Sequence, residues 1–167
     1  VLKAKNEINQ TLRVFSFFTI FIVSCSQTEL IPVTAESLGK KISSYKGDKA
    51  VLVNIWALWC APCIEEFPMI VNFQKDTKDL EVIFVSADFK DQSRDVIKFL
   101  NHYDIGLESY IKSQKDEAFI NGIHNDWSGS LPFTIVYAKK SGKIIDYWEG
   151  KRGKEKFSEV INLAIGL

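Results

Sequence analysis

The chain has 167 residues, 21 basic and 21 acidic side chains, and a formal net charge of zero. That balance excludes the basic footprint of a nucleic-acid-binding protein and any broad attraction to anionic membranes. At 46% hydrophobic and 13% aromatic residues the chain can bury one domain core, which excludes a disordered polypeptide.

The first twenty-five residues stand apart. Lys3, Lys5 and Arg13 face a single Glu7, and the apolar run Val14–Val23 then ends at Ser24-Cys25. Ten residues are too few for a membrane-crossing helix, which needs about 20, but they suit the centre of an export signal. A buried core helix would show polar residues on one face. Ile22-Val23-Ser24-Cys25 resembles the lipobox of bacterial lipoproteins. The resemblance implies a diacylglyceryl thioether on Cys25, removal of residues 1–24 as a signal peptide, and a membrane-anchored protein facing the periplasm or extracytoplasmic space. The competing reading is an ordinary cleaved signal with a free cysteine nearby. Dropping Lys3, Lys5, Arg13 and Glu7 from the balanced 21 and 21 gives a mature net charge of −2. Lipidation of Cys25 also leaves Cys60 and Cys63 as an even pair, as cysteine counting in an exported chain requires.

Residues 25–33, with Pro32 among them, read as the lipidated N-terminus and a tether, so the expected domain spans 34–167. Thr34 is placed to cap a short helix carrying Leu38, Ile42 and Tyr45 at helical spacing. Lys46-Gly47-Asp48-Lys49 is a turn, and Ala50–Ala57 reads as a buried strand. A helix begins at Ala61 and carries Ile64, Phe67, Ile70, Val71 and Gln74; Pro68 inside it predicts a kink. Leu80–Ala87 is a second strand and Gln92–Tyr103 a helix. A short strand over Leu107–Ile111 and a short helix over Lys115–Ile123 follow. Phe133–Ala138 and Lys143–Trp148, joined through Ser141-Gly142, give a strong hairpin signal. Lys154–Ile165 closes the chain as an amphipathic helix. Strand–helix–strand units followed by a hairpin predict an α/β domain with a mixed sheet and helices on both faces.

Cys60 and Cys63, two residues apart, can close a small disulfide ring and open it again. Cys60 falls where a helix begins, and the unpaired N–H groups and positive dipole end there favour a thiolate. Zinc would need two more ligands, yet no second CxxC exists and only His102 and His124 are available. A permanently structural disulfide is the other bland reading. No metal and no cofactor is expected.

Trp59-Cys60-Ala61-Pro62-Cys63 at a strand-to-helix junction is similar to the thioredoxin active site. The wider strings Leu52–Ala57 and Cys60–Pro68 resemble the TlpA/ResA-like branch of thiol-disulfide oxidoreductases. Trp127–Thr134 resembles that branch's segment around its cis-proline. The match covers roughly residues 34–165 and implies a thioredoxin-like fold. It implies Cys60 as the attacking thiolate, Cys63 as the resolving thiol, and Glu66, one helical turn beyond Cys63, as a proton-exchanging carboxyl. It also implies a cis Leu131-Pro132 bond that offers backbone groups to substrate, with Trp59, Ala61 and Pro62 beside them and Trp127 shaping the groove. Asn54 stands where many thioredoxins carry a buried aspartate, and Glu65 is expected to face solvent.

The implied activity is reduction of protein disulfides, in exported proteins or in apocytochrome c during cytochrome c maturation, with recharging by a membrane electron donor. Two alternatives stay open: a disulfide-forming oxidase or isomerase, and a Cu(I)-handling assembly factor using both thiolates with His124.

Overall fold

The computed structural model describes residues 29–103, 105 and 108–167. The signal segment and Cys25 lie outside the described residues.

Among the described residues six strands form one sheet in the order β1-β4-β3-β2-β5-β6. They are β1 Glu29–Val33, β2 Ala50–Trp56, β3 Leu80–Ser86, β4 Glu108–Lys112, β5 Phe133–Tyr137 and β6 Ile144–Glu149. The helices are α1 Ala35–Ser44, α2 Ala61–Asp76, α3 Ser93–His102, α4 Asp116–Ile123 and α5 Lys154–Gly166, and a single 3-10 turn at Lys90–Gln92 precedes α3. β1, β4, β3 and β2 run parallel, while β5 is antiparallel to β2 and β6 antiparallel to β5. The expected mixed α/β sheet is therefore present.

Side-chain alternation divides the core in two. Leu52 and Trp56 of β2, with Val82 and Phe84 of β3, pack with α2, α3 and α5. Val51, Val53 and Ile55, with Ile83 and Val85, pack on the other face with Leu38 and Ile42 of α1 and Phe119 of α4. Both faces of β2 are buried, so it reads as a continuous apolar run, as central parallel strands do. Phe67 of α2 is fully buried and lies against Trp56, Phe84, Phe99 and Tyr103, with ring centroids 4.2–5.2 Å apart. This cluster fixes α2, and with it the cysteine pair, on the sheet.

One expectation is corrected. Residues 29–33 are a strand, not tether: β1 pairs in parallel with β4 from Glu29↔Glu108 to Val33↔Lys112. Its partner lies almost eighty residues away, and Pro32 is tolerated because β1 is an edge strand. The domain thus takes in residues 29–33 as well. Pro68, expected to kink α2, is exposed and lies inside the helix, which runs to Asp76. Thr34 caps α1 as expected, in a reciprocal capping box with Ser37.

Candidate active site

Cys60 and Cys63 are joined in a disulfide at the start of α2. Cys60 is the N-cap residue, and its Sγ accepts the Cys63 backbone N–H at 3.3 Å. The sulfur shares that first-turn N–H with the Cys60 carbonyl, which accepts it at 3.0 Å, and a donor aimed at the sulfur there favours a thiolate. Ala61 and Pro62 open the helix and are exposed. Cys60 is 5% and Cys63 1% exposed, whereas Trp59 is 64% exposed.

The loop before Cys60 is tied down by a residue the sequence reading did not identify. Asp88 is buried after β3, and its carboxylate accepts the Leu58 N–H at 3.1 Å and the Ser86 hydroxyl at 2.8 Å. One acidic residue after a strand carries no sequence signal for this role.

Glu66 is 2% exposed on the sheet-facing side of α2, while the adjacent Glu65 is exposed and paired with Lys151. Asn54 Nδ2 donates to Glu66 Oε1 at 3.1 Å and to Thr134 Oγ1 at 3.0 Å. Pairing of β2 with β5 places Asn54 directly opposite Thr134, which brings these side chains together. Glu66 Oε2 accepts the backbone N–H of Arg152, from the loop between β6 and α5, at 3.4 Å. Burial pushes the Glu66 carboxyl up to about 7. The Asn54 and Arg152 hydrogen bonds and the nearby Lys151 and Arg152 charges oppose that rise without cancelling it. A group titrating there can take or give a proton at neutral pH. Thr134 and the Arg152 amide come from distant segments, and no local pattern marked them as Glu66's neighbourhood.

The Leu131-Pro132 bond is cis. Pro132 is buried, its carbonyl accepts the Gly150 N–H at 2.8 Å, and the backbone N–H and carbonyl of Leu131 bond to no described residue. Gly129 adopts φ +92°, and a Cβ there would meet Ile120 Cδ1 at 2.8 Å, so the approach to the cis bond needs glycine. Trp127 is buried, stacks on Phe133 and donates its indole N–H to Ser130. His124 stacks on Tyr147, and its Nδ1 accepts the Asp126 N–H. Among the described residues no three His, Cys, Asp or Glu side chains gather to hold a metal ion.

The AhpC/TSA family's sequence profile matches residues 32–151, well over half of the chain. This chain belongs to the AhpC/TSA family. Within reach of this family assignment, it is similar to the thioredoxin-like protein YneN of Bacillus subtilis, at 32% identity over 117 residues, covering 69% of this chain and 65% of that protein. It is also similar to the thiol-disulfide oxidoreductase ResA of the same organism, at 26% identity over 133 residues, covering 78% and 70%. The chain thus spans about two thirds of the length of these relatives. A solved thiol:disulfide interchange protein of the thioredoxin family from Chlorobium tepidum superposes with a TM-score of 0.60 at 25% identity, covering 73% of this chain and 83% of that one. The thioredoxin-like fold and the ResA-like resemblance expected from residues 34–165 both hold.

Proposed function

We propose that this protein is an exported, membrane-anchored thiol-disulfide oxidoreductase that reduces protein disulfides through Cys60 and Cys63. One observation carries the reading: a disulfide at a helix N-terminus, flanked by exposed Trp59, Ala61 and Pro62, in a domain that also holds a cis-proline. In the dithiol form the Cys60 thiolate attacks one sulfur of a substrate disulfide, forming a mixed disulfide and releasing the other substrate sulfur as a thiolate. Cys63 then loses its proton and attacks Cys60 Sγ. The ring closes, the second substrate sulfur leaves, and two electrons have passed to the substrate.

Glu66 lies one helical turn beyond Cys63, and with a value of about 7 it is suited to take the Cys63 proton during the second step. The unpaired backbone of Leu131 suits an extended substrate segment pairing as a short added strand. Exported proteins with disulfides and apocytochrome c fit as substrates. The Cys60–Cys63 ring left by each cycle requires a membrane electron donor to reopen it. Anchoring through lipid on Cys25 rests on the lipobox-like segment. No helix among the described residues is long and apolar enough to cross a membrane.

The test is insulin reduction with a chemical reductant, together with the potential of the Cys60–Cys63 couple. Cys60→Ser is expected to abolish turnover, and full activity in that variant overturns the reading. A potential near thioredoxin's, about −270 mV, supports a reductase; one near about −120 mV, as in the strong oxidant DsbA, reverses the direction.

A further inference from the structure

The chain's charge is balanced overall, yet lysines gather at one end of the sheet. β1, β4, β3 and β2 are parallel, so all four begin toward one end, and Cys60 lies beyond the other. The first end carries the turn Lys46–Lys49, the Lys78-Asp79 loop, and the β5–β6 turn with Lys139, Lys140 and Lys143.

These segments are tied to one another. The Gly47 N–H donates to the Lys139 carbonyl at 2.7 Å, and the Ala50 N–H to the Asp79 carbonyl at 2.8 Å. Gly142 lies so near Lys46 that a Cβ on it would stand 3.3 Å from Lys46 Cδ. The Lys139 N–H donates to the Ala164 carbonyl at 2.8 Å, which brings the last turn of α5 to the same end.

The Lys139 side chain pairs with Asp79 at 3.1 Å. Lys46, Lys78, Lys140 and Lys143 are exposed and form no ion pair among the described residues. Asp48 and Asp76 also stand exposed and unpaired there, and the lysines outnumber them. Holding these ammonium groups on fixed turns costs repulsion that an anionic surface relieves. Ile144, next to Lys143, is 42% exposed, and Leu163 in the last turn of α5 51%. Lysines beside exposed aliphatic side chains match the boundary of an anionic bilayer, where ammonium groups meet headgroups and aliphatic carbons enter below them.

The short run of chain before β1 names the occupant. Ile31 pairs with Tyr110, Tyr110 with Val85 and Val85 with Ile55, so Glu29 stands level with Val53. That is three residues, about 10 Å, from the level of Ala50 at the lysine end. Only Ser26, Gln27 and Thr28 separate Cys25 from Glu29, and four extended residues reach about 14 Å at most. A lipid on Cys25 therefore keeps the bilayer surface near enough to meet the lysine end, and too near for the domain to stand clear of it.

We infer that the lysine-bearing end is a docking surface for anionic lipid headgroups, which turns the disulfide of the anchored protein away from the bilayer. The inference rests on the anchoring proposed at Cys25 and adds the face that meets the membrane. β2 rises about 20 Å between the two ends, so Cys60 and Cys63 stand clear for exported substrates. A few screened charges hold the contact reversibly, so the domain can tip toward a membrane electron donor between cycles. The zero net charge of the chain excludes attraction over its whole surface, not at this end.

The test places the lipidated, oxidised protein in phosphatidylcholine vesicles with or without phosphatidylglycerol. A fluorophore on Ser141→Cys, in the lysine turn, or on Glu117→Cys, at the start of α4 toward the other end, reports quenching by a nitroxide-headgroup lipid. In the anionic vesicles quenching at position 141 is expected to be several-fold that at position 117. It should fall in high salt and in the double variant Lys140→Glu/Lys143→Glu. Equal quenching at the two positions, or quenching at position 141 that neither salt nor charge reversal lowers, overturns the inference.

Mass spectrometry of the same protein shows whether Cys25 carries lipid. If it does not, the anchoring reading has failed, and co-sedimentation with the anionic vesicles decides the inference separately. Charge reversal at Lys140 and Lys143 is then expected to lower the ratio of bound to free protein at least about tenfold, and an unchanged ratio overturns it.

Discussion

The two faces of the sheet are built differently. On the α1/α4 face, Leu38, Ile42, Val53, Ile55, Phe119 and Ile135 make an apolar layer with no buried carboxyl among the described residues. On the α2/α5 face an equally dense layer surrounds Asn54, Glu66 and Thr134, all at most 2% exposed. Asn54 even leaves its Oδ1 without a partner among the described residues. Burying such groups costs stability unless every hydrogen bond is made. One face supplies rigidity, and the other carries a titratable group one helical turn from Cys63 at some cost in stability.

Substitutions can break or sharpen that contrast. Phe67→Ala, at the centre of the aromatic cluster under α2, is expected to lower stability by about 3–5 kcal/mol and to alter the potential of the disulfide as well. Denaturant unfolding and redox titration measure the two effects. Leu38→Ala on the opposite face should cost about 2–5 kcal/mol and leave the potential unchanged. If the potential moved with Leu38, the two faces would not be functionally separate.

Glu66 is the titratable element of the contrast. Its carboxyl is raised from 4.5 to about 7 in the fold, so between those values the native state holds a proton that the unfolded chain has released. Its contribution to stability is therefore full below pH 4.5 and lost as pH rises through 7, by up to about 3 kcal/mol. Glu66→Gln should flatten that part of the stability–pH curve and shift the pH profile of thiol reactivity. An unchanged profile reduces Glu66 to scaffold. Smallest is Thr134→Val, which takes one acceptor from Asn54 Nδ2 and should cost about 1–2 kcal/mol in unfolding experiments, with a minor change in the Glu66 titration.

Much of this was legible in the sequence because it is local. The apolar runs of β2 and β3, the Thr34 cap and the hairpin around Gly142 follow from neighbouring residues. β1 was not legible, since Glu29–Val33 becomes a strand only by pairing with Glu108–Lys112. Asp88 was also missed. Its importance comes from facing the Trp59 loop across space, and nothing in Ala87-Asp88-Phe89-Lys90 marks it.

The sequence by itself determined the chemistry at hand: two cysteines spaced to close a ring, set where a strand gives way to a helix, with Pro62 and Glu66 at fixed helical offsets. Spacing along one helix is a local property, so it could be read directly. The tertiary structure decided what surrounds that ring. Strand register set Asn54 opposite Thr134, burial raised the Glu66 carboxyl, and a bond from Leu58 to Asp88 tied down the loop before Cys60. Each depends on segments far apart in the chain, whose meeting is fixed only when the whole sheet closes.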